Sequence, residues 1–157
     1  MADEGKLAHA QTTFATLCQV LDDHEWHYEK DENALSIKCG AQGEDLPIHI
    51  TITVDADRQF VLLLSRLPFV ISEDKRRDIA VAVSFVNNEL VDGSFDYDIR
   101  SGNMFFRMTK SFLESRLGKD AFTYMLFCSA QTIDEYNDKF LMLSKGYMSL
   151  EQFRGLI

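Results

Sequence analysis

Pro47-Ile48-His49-Ile50-Thr51-Ile52-Thr53-Val54 is followed, after Asp55-Ala56-Asp57-Arg58, by Phe60-Val61-Leu62-Leu63-Leu64, and this stretch decides the fold. In its first half Ile48, Ile50, Ile52 and Val54 face one way, while His49, Thr51 and Thr53 face the other. That is the period of a half-buried strand. Pro47 sits at its start, where a missing backbone donor does least harm. The second half is apolar at every position, which predicts a central strand covered on both sides. The short polar turn between the two makes them antiparallel neighbours.

Working outward toward the N-terminus, Leu35, Ile37 and Cys39 alternate with Ser36 and Lys38, giving a third strand of the same meander. Residues 40–45, Gly-Ala-Gln-Gly-Glu-Asp, form the connecting loop. Tyr28 to Lys30 is a candidate strand opening ahead of the turn Asp31-Glu32-Asn33. Before it, Leu7, Ala10, Phe14, Leu17 and Leu21 recur at spacings of three and four, the stripe of an amphipathic helix. Asp22, Asp23 and His24 end that helix, because acidic residues in a last turn oppose its dipole.

Toward the C-terminus, Ser72 with Glu73 and Asp74 reads as a helix start. Ile79, Val83, Val86 and Leu90 mark the buried stripe of that helix, and Gly93 marks its stop. Phe95, Tyr97 and Ile99 then alternate with Asp96 and Asp98, and Ser101-Gly102 turns the chain into Met104, Phe106 and Met108, a hairpin. Phe122, Leu126, Ser129, Ile133, Tyr136, Phe140 and Leu143 define a last long helix. Gly146 ends it, and Ser149 opens a short helix from Leu150 to Leu156. The expected order is α-β-β-β-α-β-β-α-α, an α+β domain with a mainly antiparallel sheet packed by helices.

A chain of 157 residues with 46% hydrophobic residues and 12 Phe forms one domain, residues 1–157, whose core needs no disulfide or metal staple. The formal net charge of −9 is uneven. Residues 1–50 carry 3 Lys/Arg against 10 Asp/Glu, residues 51–100 carry 6 against 9, and residues 101–157 carry 7 against 6. An acidic surface repels phosphate backbones, so no nucleic-acid partner is expected. Solubility suffices to explain the charge, and beyond that it suits a basic or amphipathic polypeptide. The N-terminal stretch has no basic and apolar signal, and no run is long and apolar enough for a membrane helix. Cys18, Cys39 and Cys128 are odd in number and far apart, as reduced packed thiols are, so a cytoplasmic location is expected.

Catalytic patterns are sparse. His24 and His27, within Asp22-Asp23-His24-Glu25-Trp26-His27, are the one pair with metal-like residue types. They are three apart rather than the four of a zincin helix, no third ligand lies nearby in sequence, and a solvated helix end with a packed Trp26 explains them as well. No Gly-x-Ser-x-Gly elbow or phosphate-cradling glycine loop occurs. Asp96 and Asp98 read as the solvated side of their strand, and Lys75-Arg76-Arg77 as a wet helix start. No cofactor is expected. Phe105 faces away from Met104 and Phe106, so that strand is apolar on both sides. Either helices cover both faces, or one face awaits a partner or a second subunit.

Phe85-Val86-Asn87-Asn88-Glu89-Leu90-Val91-Asp92-Gly93-Ser94-Phe95-Asp96-Tyr97-Asp98, then Gly102-Asn103-Met104-Phe105-Phe106-Arg107, resembles the central signature of the YbjN-like domain family. Ile133-Asp134-Glu135-Tyr136, Phe140-Leu141-Met142-Leu143 and Gly146-Tyr147-Met148-Ser149-Leu150-Glu151 are similar to that family's last helices. The resemblance implies a fold like that of class I type III secretion chaperones, which are small, acidic, usually dimeric and bind an unfolded client segment without ATP. The expected function is a non-enzymatic, protein-binding module, chaperone-like or regulatory. It is expected to form a homodimer and to take a polypeptide partner or client through Phe14, Trp26, Met104, Phe105 and Met108. The alternative is a small-molecule- or metal-binding enzyme whose site assembles from distant residues, His24 and His27 among them.

Overall fold

The computed structural model describes residues 3–157. Met1 and Ala2, the first residues of the N-terminal stretch read above, lie outside the described residues. Helix α1 runs over Glu4–Asp23 and is followed by strands β1 (Tyr28–Asp31), β2 (Ser36–Gln42), β3 (Pro47–Asp55) and β4 (Phe60–Arg66). After a 3-10 turn at Glu73–Lys75 come α2 (Arg76–Glu89), β5 (Ser94–Asp98), β6 (Asn103–Ser111), α3 (Lys119–Ser144) and α4 (Leu150–Arg154). The fold is α+β, as expected. The candidate strand at Tyr28 does form, so the first block holds four strands rather than three.

The six strands make one sheet in the order β1-β2-β3-β4-β6-β5, antiparallel throughout. Alternation sorts their side chains cleanly. Ile37, Ile50, Ile52, Val61, Leu63, Phe95, Met104, Phe106 and Met108 are buried and belong to the core. The helices supply the other half from the stripes read in the sequence: Ala10, Phe14, Leu17 and Leu21 of α1, Ile79, Val83 and Val86 of α2, and Phe122 to Leu143 of α3. Leu7, the first residue of the α1 stripe, is 43% exposed and stands outside the core that the rest of the stripe enters. Phe95 sits at an aromatic junction, 5.2 Å from Phe106, 5.1 Å from Phe140 and 6.0 Å from Tyr136, ring to ring. Edge-to-face contacts of this kind add to the burial of the rings themselves.

Strand β4 is central, but it is not covered on both sides. Val61, Leu63 and Ser65 are buried, whereas Phe60, Leu62 and Leu64 are only half-buried. An all-apolar run predicts burial on both faces, and here cross-strand neighbours alone shelter the second one.

Two glycines are fixed by geometry. Gly93 (φ +77°) leads into β5, and a Cβ there would overlap the Phe106 ring. Gly102 (φ +78°) closes the β5–β6 turn, where its N–H donates to Asp98 O at 2.8 Å and a Cβ would meet the Ile71 carbonyl. Only glycine adopts this backbone region without cost. Ile99 sits in that turn, 49% exposed, because the strand ends at Asp98. Ser149 begins α4 with a capping box in which Gln152 returns the hydrogen bond.

Candidate functional site

All four helices lie on one side of the sheet, which leaves the other face open. Register places its side chains in rows. Leu62 lies between Thr53 of β3 and Thr109 of β6, and Leu64 between Thr51 and Arg107. Phe105 lies between Arg66 of β4 and Asp96 of β5. Phe60, Leu62, Leu64 and Phe105 are half-buried and form an apolar strip down the middle of the face. Charges of both signs frame it. The Arg107 guanidinium donates to both Asp96 oxygens, from Nε at 2.6 Å and from Nη2 at 3.3 Å, and Arg66 donates to Asn103 Oδ1 at 2.6 Å. Of the two readings of the 104–108 strand, the one with helices on both faces is therefore overturned.

The residues expected to meet a partner separate on this architecture. Phe105 is on the open face. Met104 and Met108 point the other way and are 0% and 2% exposed, and Phe14 is 5% exposed beneath α1. A partner reaches neither methionine without opening the core, and Phe14 shows only its edge, beside Ala15 and Cys18. Trp26 is half-buried where α1 ends, 5.9 Å edge-to-face from the Phe127 ring. The signal missed was parity: Leu62 and Leu64 share the face of Phe105 through the pairing of β4 with β6, which no local pattern displays.

His24 and His27 do not converge. His24 packs on Phe127 of α3 at 5.2 Å, within the helix layer. His27 lines a shallow depression with Glu29, Lys38 and His49. Among the described residues no group of three or more His, Cys, Asp or Glu could hold a metal. The three cysteines are free thiols. Burial pushes the Cys39 thiol up to about 12 and raises that of Cys18 as well. Thiols shifted this way are poor nucleophiles at neutral pH.

The basic triplet behaves differently from the solvated helix start expected. Arg76 donates to the carbonyls of Ile71 (3.2 Å), Arg100 (2.7 Å) and Ser101 (3.4 Å), which ties the entry of α2 to the β5–β6 turn. Arg77 is exposed. At the far end of α2, Lys110 and the Tyr124 hydroxyl both reach Asp92, and together they hold its carboxyl below the usual carboxylate range, the Tyr124 hydrogen bond contributing most. Asp134 of α3 accepts the Glu44 N–H at 2.8 Å and pins the β2–β3 loop, where a Cβ on Gly43 would overlap it.

These features define a class, a two-layer α+β module that exposes one sheet face. The family model described as "YbjN: Putative bacterial sensory transduction regulator" matches residues 13–142, and the chain belongs to that family. Among solved structures it is similar to the crystal structure of YbjN from E. coli, described there as "a putative transcription regulator". The TM-score is 0.56 at 13% identity, over 77% of this chain and 85% of that one, a likeness of fold. A search of curated proteins finds no match. The family is described as a regulator rather than as an enzyme. No helix among the described residues is long and apolar enough to cross a membrane.

Proposed function

We propose that the chain acts as a single-domain, non-enzymatic regulatory module that binds polypeptides, chaperone-like in using no cofactor, and that it works in the cytoplasm as a homodimer joined through the open sheet face. The observation that carries this reading is the strip of Phe60, Leu62, Leu64 and Phe105 on a face with no helix over it. Exposed apolar strips rimmed by polar residues mark interaction surfaces. The size lies at the low end of what a second copy needs. Central strands of seven to nine residues in a sheet of six give a face about 25 Å on a side, on the order of 600 Å². A standard interface buries about 800 Å² per partner. The mixed charges suit a two-fold contact, since Arg66 and Lys38 can meet Asp98 and Glu29 of the other copy while Arg107 and Asp96 pair within each chain.

Sedimentation velocity on the wild type and on a Leu64→Asp, Phe105→Asp double variant tests the dimer. A wild-type dimer and a folded monomeric variant are expected, with unchanged far-ultraviolet circular dichroism. A wild-type monomer at every concentration, or a variant that still dimerises, overturns it.

A further inference from the structure

The two edges of the sheet are finished differently. The β5 edge is capped at one point, where the Asn87 side chain bonds both main-chain groups of Phe95. The β1 edge is bare: among the described residues, no backbone hydrogen bond reaches Tyr28–Asp31 from the side away from β2. An unpaired edge is a template for another strand. Beside it a trough of about 380 Å³ runs between α1 and the β1–β2 hairpin, with Phe14, Ala15, Cys18 and Leu35 along it and Asp22 and Lys30 at its rim.

We propose that this edge and trough take an extended segment of another protein as a seventh strand, with apolar and basic residues alternating along it. The inference rests on the polypeptide-binding reading above, but it uses a surface separate from the open face. Alternation in a strand would send every second side chain of the segment toward α1 and into the trough, and the others outward. Charge selects the outward set. Between residues 22 and 32 stand Asp22, Asp23, Glu25, Glu29, Asp31 and Glu32; Glu32 holds Lys30 at 2.8 Å, Asp23 holds Lys119 at 2.8 Å and Lys38 stands opposite Glu29, so the edge keeps an acidic excess. A second copy pairing edge to edge would bring these carboxylates together, so the occupant is a cationic segment rather than another copy of this chain. A strand of four residues offers few main-chain hydrogen bonds, so the trough and the charge carry selectivity.

The probe is a synthetic peptide of alternating lysine and valine, compared with its glutamate–valine counterpart and with a version N-methylated along one edge. Binding is followed by amide shifts of isotope-labelled protein and by fluorescence anisotropy. The lysine peptide is expected to shift residues 28–31 and the α1 flank, and N-methylation to weaken it by about tenfold or more. Ala15→Trp, at an exposed position lining the trough, is expected to weaken it by a similar factor with the fold and the dimer intact. Equal binding of the glutamate peptide, shifts centred on Leu62, Leu64 and Phe105, or full binding to Ala15→Trp overturns the proposal. Loss of peptide binding leaves the dimer test untouched, so the two readings fail separately.

Discussion

The side-chain amide of Asn87 acts as a strand partner for Phe95: its Nδ2 donates to the Phe95 carbonyl at 3.0 Å, and its Oδ1 accepts the Phe95 N–H at 2.8 Å. One residue of α2 thus satisfies both outward main-chain groups near the start of an edge strand, directly behind the ring at the centre of the aromatic core.

Asn87→Ala should destabilise the protein by about 1–3 kcal/mol, since two main-chain groups lose their partners. Urea denaturation measures this, and hydrogen exchange should show faster exchange at Phe95 N–H than at the β6 amides. Asn87→Asp keeps the acceptor and loses the donor, so it should fall between. An alanine variant with wild-type stability would show that water replaces the amide without cost.

Arg76 and Arg77 are neighbours in sequence with opposite structural fates. Arg76→Ala removes three donors from carbonyls and should cost about 1.5–3 kcal/mol. Arg77→Ala should stay within about 0.5 kcal/mol of wild type, as surface changes do. Parallel urea titrations of the two variants check the contrast, and equal effects would refute it.

Cys39 should resist alkylation by iodoacetamide at pH 8 in the native state, because it is buried and its thiol is pushed up to about 12. It should react fully once urea unfolds the chain. Peptide mapping by mass spectrometry reads this out, and rapid native labelling would mean that β2 opens readily.

Asp92 ties stability to pH. Its carboxyl is lowered in the folded state, so its contribution is present above the unfolded value of about 3.9 and is lost as pH falls through the lower folded value. Tyr124→Phe removes the first cause of that shift. The variant should therefore be less stable than wild type at pH 7, with the gap narrowing as pH drops below about 4. Thermal unfolding at both ends of that range checks it, and a gap independent of pH would remove Asp92 from the account.

Much of this architecture could be read locally. The alternation in 48–54 and 95–98, and the three-and-four spacings in α1, α2 and α3, are properties of single elements. They declare which residues face inward because burial acts on each element's own period. The family signature was legible for a related reason: Asn87, Gly93 and Gly102 hold backbone geometry that few other residues can supply.

The candidate surfaces were less legible. Phe105 stands out in the sequence because its strand is apolar on both sides, but Met104 and Met108, expected beside it at a partner, face the helices. His24 and His27 are close in the chain, but the turn through Glu25 (φ +56°) sends one to the helix layer and the other to the rim of the sheet.

Composition and periodicity alone therefore determine the helices, most of the strands, the α+β class and the acidic character, since each depends on the local match between side-chain period and backbone period. The side of the sheet that stays bare depends on where α1, α2 and α3 dock. The joining of Phe60, Leu62, Leu64 and Phe105 into one strip depends on β4 (ending at Arg66) pairing with β6 (starting at Asn103), with α2 and β5 in between. The contrast between a β5 edge capped at Phe95 and an open β1 edge depends on the position of α2. These are long-range relations, decided by packing the whole chain around one core, and no local stretch encodes them.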